Sequence, residues 1–161
     1  MKNPAGLVIL TLAFLLLASF AAGRRGFSRP AEETAPAKPL MPFAQAVKAG
    51  GFIFVSGQIG RDPQTGKVAG EDIGAQTRQA LENIEAVLKK AGAGLEDIVK
   101  TTVYLQNMDD YAAMNRAYAG MFGENLPARA TVAVRGLVLG VLVEIDAVVR
   151  DPGQPGGIIR M

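Results

Sequence analysis

The order of apolar patterns along the chain predicts an α+β fold: a single sheet in the order ββαβαββ, covered by two helices on one face. Three observations predict it. Leu81, Ile84, Leu88 and Ala91 recur at three- and four-residue steps, the period of a helix. Residues 98–105 and 141–149 alternate instead, the period of a half-buried strand. Glycine pairs and polar loops punctuate these segments at intervals short enough for one sheet.

The elements follow in order. Residues 44–48 and 52–56 read as a first strand pair, with Gly50-Gly51 as its turn. Residues 60–74 are a polar loop. A helix spans 75–91 and ends at Gly92 and Gly94. The strand at 98–105 places Val99, Thr101, Val103 and Leu105 on one face and Lys100, Thr102 and Tyr104 on the other. Asn107 or Asp109 caps a second helix, whose stripe is Tyr111, Met114, Tyr118 and Met121. Two strands close the domain. In the last, Val141, Val143, Ile145, Ala147 and Val149 share one face; Leu142, Glu144, Asp146 and Val148 share the other. Two helices cover only one face of such a sheet. The other mixes apolar and charged groups and calls for a partner subunit.

The ends differ in composition from this domain. Residues 7–22 form an uncharged apolar block behind Lys2, and Ser19, Ala21 and Ala22 close it. Residues 1–23 are therefore expected to act as a signal peptide or a membrane anchor. Arg24, Arg25 and Arg29 directly after the block keep both options open, because basic residues there oppose translocation. Export or N-terminal membrane attachment is the expected location. Residues 24–38 carry Pro30 and Pro36 and read as a tether. The domain is expected over 39–151 and a flexible tail over 152–161.

Charge and missing residue types exclude several function classes. Four of the 17 Lys and Arg precede Lys38, as do two of the 15 Asp and Glu, so thirteen of each remain and the domain is neutral. Nucleic acid is not expected as a partner of such a surface. There is no histidine and no cysteine. That excludes disulfides, a Ser-His-Asp or Cys-His mechanism, and His- or Cys-based zinc sites. Proton transfer must use a carboxylate, Tyr, Lys, a held water or the substrate.

The residues that point to chemistry are Arg129, in Pro127-Ala128-Arg129, and Glu144, in Val143-Glu144-Ile145-Asp146. Only Gly136-Leu137-Val138-Leu139-Gly140 separates their two apolar runs, so a hairpin closed there would bring the pair nearly face to face. Such a pair is either a cross-strand ion pair or a site in which Arg grips a carboxylate and Glu handles a proton.

Further blocks bear on that choice. They are Gly51-Phe52-Ile53-Phe54-Val55-Ser56-Gly57-Gln58-Ile59, Asp62-Pro63-Gln64-Thr65-Gly66, Gln76-Thr77-Arg78-Gln79-Ala80-Leu81-Glu82-Asn83-Ile84, Asp97-Ile98-Val99-Lys100-Thr101-Thr102-Val103-Tyr104-Leu105 and Tyr111-Ala112-Ala113-Met114-Asn115. With the Arg129 and Glu144 blocks, in this order and spacing, they resemble the Rid family (RidA, or YjgF-like, reactive-intermediate deaminases) over residues 39–150.

The resemblance implies a chorismate-mutase-like homotrimer with sites between subunits. It implies hydrolysis of 2-imino acids to 2-oxo acids and ammonia, without cofactor or metal. Arg129 and Glu144 would be catalytic. Arg129 would hold the substrate carboxylate, with Ser56, Gly57, Phe43, Thr131 and Asn115 lining the pocket. The expected partners are a small 2-imino or 2-oxo acid and further copies of the chain, with a membrane contact through residues 7–22 if the leader stays. A small-carboxylate-binding module with little turnover is the alternative. Three departures stand out: Met41-Pro42-Phe43 replaces the family's Gly-Pro-Tyr, Thr131 replaces a frequent cysteine, and Arg135-Gly136-Leu137 replaces Arg-Leu-Pro.

Overall fold

A computed structural model describes residues 42–160. The leader (1–23) and the tether (24–38) lie outside the described residues. Five strands form one sheet: β1 (Ala46–Ala49), β2 (Phe52–Ile59), β3 (Ile98–Leu105), β4 (Ala128–Ala133) and β5 (Val143–Arg150). Two helices, α1 (Ile73–Ala91) and α2 (Tyr111–Phe122), pack on it. The order along the chain is ββαβαββ, as the periodicity predicts.

Local chemistry accounts for the boundaries. Gly50 and Gly51 both take positive φ, 58° and 81°, which a tight β1–β2 turn demands and a Cβ resists. The Asp72 carboxylate accepts from Ala75 N at 2.8 Å and starts α1 two residues before the apolar pattern begins. Gly92, in the left-handed region at φ 79°, returns its N–H to Leu88 and Lys89 carbonyls and ends the helix. Asn107 caps the short 3-10 turn Met108–Asp110 that leads into α2.

The core lies between the sheet and the helices. Ile53, Leu81, Ile84, Leu88, Val103, Leu105, Val143 and Ile145 are fully buried there. Each contributes roughly 1.5–3 kcal/mol of burial relative to exposure. The alternation in β5 is regular: Val143, Ile145, Ala147 and Val149 face the helices.

Strand order corrects the expected hairpin. The sheet runs β1-β2-β5-β3-β4, so β3 separates β4 from β5. β4 pairs parallel to β3, while β5 enters the slot between β2 and β3 and runs antiparallel to both. A parallel β3–β4 pair needs a crossover of a dozen or more residues, and α2 supplies it. The glycine segment does turn the chain, but over the end of β3. Val134 N donates to Leu105 O, Gln106 N to Leu142 O, and Leu137 N to the Gln106 side-chain oxygen. A second correction concerns Val99. A register shift between Ile98 and Lys100 puts Ile98 in the core and leaves Val99 only half-buried.

The face opposite the helices carries a row of large side chains in water. Val47, Phe52, Phe54 and Val132 are all more than two-fifths exposed. Among them stands a polar pair: Tyr104 Oη donates to Asp146 Oδ2 at 2.9 Å, and Thr102 N donates to Asp146 Oδ1 at 3.2 Å. That bond to the carboxylate, with burial, raises the Tyr104 phenol above its ordinary pKa. Beyond β5, Asp151 accepts from Gly153 N at 3.1 Å and pairs with Lys48 at 3.2 Å. Arg160 donates to the carbonyls of Glu96 (2.9 Å) and Ile98 (3.4 Å).

Candidate active site

Arg129 lies on β4 opposite Thr101, whose side chain is fully buried under the helices. Paired residues share a face, so Arg129 points to the helix side. There α2 receives it. Arg129 Nη2 donates to Asn115 Oδ1 at 2.6 Å and lies 3.5 Å from the Tyr111 hydroxyl. Its guanidinium carbon stands 4.7 Å from the Tyr118 ring centroid and 5.8 Å from that of Tyr111. The Tyr118 hydroxyl shares a 2.6 Å hydrogen bond with Thr101 Oγ1 and ties α2 to β3 beneath the arginine. Burial raises the Tyr118 phenol above its ordinary pKa, so this ring stays neutral under the cation.

One edge of the guanidinium is thus fixed by an amide and an aromatic face. Nε and Nη1 make no hydrogen bond among the described residues and present a planar fork. Thr131 lies two residues along the same face. Its Oγ1 is buried and has no hydrogen-bond partner. A buried hydroxyl without a partner calls for a ligand or an ordered water.

Glu144 stands elsewhere. Its strand partners are Ile59 on β2 and Tyr104 on β3. Arg129 aligns with Thr101 and Ala147, three positions along β5 from Glu144. An odd offset puts the two on opposite faces, roughly 10 Å apart along the strands and roughly 10 Å across them. Among the described residues they form neither an ion pair nor a shared site within one chain.

Glu144 borders a cavity of about 530 Å³, lined with Phe43, Gln45, Gly57, Asn83 and Leu139. It makes no hydrogen bond or ion pair among the described residues. Gly57 is the reason the carboxylate fits. A Cβ at that position would collide with Glu144 Oε1 and lie 2.8 Å from its carboxyl carbon. The β2 register shift between Val55 and Gln58 brings this glycine to the acid. Ser56 contributes differently from the expectation that it faces substrate. Its Oγ donates to Ala44 O at 2.7 Å and its N–H donates to Gln45 O at 3.0 Å, so it fastens the segment behind Phe43.

The seven expected residues therefore fall into two groups. Arg129, Asn115 and Thr131 sit at the β4 edge; Phe43, Gly57 and Glu144 sit around the cavity beside β2, with Ser56 behind them. Sequence reasoning missed Tyr111, which it placed on the packing stripe; it is 41 % exposed. Its spacing of four from Asn115 is the signal that would have found it, because such residues share a helix face.

A half-buried guanidinium fork braced by an amide and two tyrosines, and an unpaired carboxylate in a glycine-cleared cavity, are the two charged features of the site. The model of the family described as Endoribonuclease L-PSP matches residues 32–150, and the chain belongs to that family, the Rid or YjgF-like group. A RutC family protein of Pyrococcus horikoshii is 53 % identical over 116 residues, covering 72 % of this chain and 91 % of its own. The 2-iminobutanoate/2-iminopropanoate deaminase of Salmonella typhimurium is 45 % identical over 121 residues, 73 % of this chain and 93 % of its own. Among solved structures, Escherichia coli TdcF with bound serine superposes with a TM-score of 0.65 at 37 % identity, covering 69 % of this chain and 89 % of its own.

Proposed function

We propose that the protein hydrolyses reactive 2-imino acids to 2-oxo acids and ammonia, at sites completed between copies of the chain. The observation that carries this reading is the division of the site. Arg129 and Glu144 occupy opposite faces of one sheet, and each is left with unused binding capacity. One group lies at the β4 edge and the other toward the opposite side of the sheet, beside the part of β2 that runs beyond β1. Docking the first side of one copy against the second side of another is a head-to-tail contact, and such contacts close into a ring where the rotation between copies allows. The apolar face with Phe52, Phe54 and Val132 supplies the surface to bury. A homotrimer is the ring we propose.

The chemistry asks little of the protein. The substrate iminium carbon is already electrophilic, so no enzymic nucleophile is needed. Arg129 grips the carboxylate through its open Nε–Nη1 edge. Glu144 takes a proton from a water as that water adds to the C2 carbon, giving a 2-amino-2-hydroxy acid. The same proton passes to the nitrogen. The C–N bond then breaks, and the 2-hydroxyl becomes the 2-oxo group as its proton passes to the departing ammonia, which leaves as ammonium. Water enters and ammonium departs, with no redox change and no cofactor. The Salmonella relative's name and the serine in TdcF are properties of those proteins, and they support a small amino- or imino-acid ligand here.

The test is to supply 2-iminopropanoate, generated in place by an amino-acid oxidase, and follow its loss. The parent accelerates hydrolysis, and Arg129→Ala abolishes the acceleration. An Arg129→Ala protein as active as the parent overturns the proposal. A second reading rests on Phe43, which borders the Glu144 cavity with a bare ring: the protein then binds 2-oxo acids through Arg129 and turns over little. Saturable 2-oxobutanoate binding without imine loss selects it. For residues 1–23, an export or anchoring role remains our proposal; fractionation of cells expressing the full chain tests it, and recovery only in the cytosol rejects it.

A further inference from the structure

Tyr111 opens α2 beside Arg129, and its ring lies half in water. Its hydroxyl oxygen is 3.5 Å from Arg129 Nη2, at the outer limit of a hydrogen bond, so neither group is committed to the other. Arg129 Nη2 is instead spent on Asn115 Oδ1, one helical turn beyond Tyr111. The phenol oxygen faces the Arg129 guanidinium as a donor, and the neighbouring Asn115 side chain lowers the phenol's pKa, as a donor to that oxygen does. A hydroxyl whose oxygen faces donors has its own hydrogen left to give. Nothing else among the described residues takes that hydrogen. An anion on the open edge of Arg129 would.

We propose that Tyr111 contacts the ligand directly, donating its hydroxyl hydrogen to the carboxylate that Arg129 holds. The proposal rests on the assignment of Arg129 as the carboxylate anchor. It makes the anchor a three-point clamp: a fork from β4 and a phenol from α2, with Asn115 setting the distance between them. The same neighbours sharpen the donor. The Asn115 side chain, then the Arg129 charge, hold the Tyr111 phenol below its ordinary pKa, and a more acidic hydroxyl makes a stronger bond to an anion. The clamp selects for a carboxylate, the group that 2-oxo and 2-imino acids share. It also offsets a loss elsewhere. Phe43 brings no hydroxyl to the Glu144 group, whereas Tyr111 brings one to the Arg129 group.

The experiment is a double-mutant cycle on the full chain: 2-oxobutanoate binding by calorimetry for the parent, Tyr111→Phe, Arg129→Ala and the double variant, with melting temperatures alongside. Tyr111→Phe weakens binding roughly tenfold, the scale of one hydrogen bond to a charged group. In the Arg129→Ala background it changes nothing further, because the carboxylate is no longer placed. If Arg129→Ala weakens binding and Tyr111→Phe matches the parent, the phenol is a bystander and the inference fails while the anchor stands. If Tyr111→Phe costs the same with and without Arg129, it acts on the fold and the inference fails as well. If Arg129→Ala itself binds like the parent, the anchor assignment falls, and the clamp with it.

Discussion

Glu144 and Gly57 form a unit in which the absence of one side chain gives the other its place. The carboxylate occupies the volume that any larger residue at 57 would fill. Gly57→Ala is therefore expected to slow imine hydrolysis at least as much as Glu144→Gln does, by displacing the base rather than removing it. Glu144→Gln keeps the shape and deletes the proton acceptor. It should lower turnover by about 100-fold or more while 2-oxobutanoate binding survives. Steady-state kinetics with binding measurements on both variants separate the effects. If Glu144→Gln turns over like the parent, another group must take the proton. The types of these residues were legible in the sequence, because a Ser-Gly-Gln block and a lone Glu in a strand both stand out. Their contact was not legible. It depends on the β2 register shift: an isolated glycine in a strand pattern signals a bulge or close approach, but not which side chain it meets.

At the scale of elements, α2 does more than cover the core. It carries Asn115 and Tyr111 to Arg129, and the Tyr118–Thr101 hydrogen bond sets its position over β3. Tyr118→Phe leaves the buried Thr101 hydroxyl without a partner and should cost about 1–3 kcal/mol, read by denaturant unfolding. Strand β5 is clasped at its end by Asp151. The Gly153 N–H and then Lys48 hold that carboxyl below its ordinary pKa. Its stabilising contribution is therefore complete above the unfolded-state value near 3.8 and fades as pH falls through the lower folded value. Melting temperatures of parent and Asp151→Asn should differ at pH 7 and converge in stronger acid. A difference that persists there would assign the effect to something other than this ionisation. Helix and strand identities were legible because their periods of 3.6 and 2 are local properties. Strand order was not. Whether β5 closes a hairpin with β4 or threads between β2 and β3 depends on partners far away in the chain. The Gly136–Gly140 segment is a turn in either arrangement.

For the whole molecule, the decisive expectation concerns mixing. Arg129→Ala and Glu144→Gln proteins should each retain at most about a hundredth of the parent's activity alone. In a head-to-tail trimer, a site joins Arg129 of one copy to Glu144 of the next. Co-refolding equal amounts of the two variants should restore about a quarter of the parent's sites, since each junction has one favourable pairing in four. A site contained in one chain would restore none, and that result would refute the assembly. Sedimentation at micromolar concentration should show three copies, and Phe54→Glu on the uncovered face should shift the balance to single chains. A chain starting at Lys38 should assemble like the full one, because every buried hydrophobic residue of the described core lies between Ile53 and Val149.

A sheet that keeps its cation on one face and its acid on the other makes dilution an inhibitor. If no single copy holds a complete site, specific activity falls with protein concentration even while every molecule stays folded. Far below the dissociation point, the rate climbs with the third power of the amount of chain present, as mass action requires of a three-body species. Under the proposed assembly, scarce protein would be silent and abundant protein fully active. A cell could set the onset of clearance simply through how much of this chain it makes.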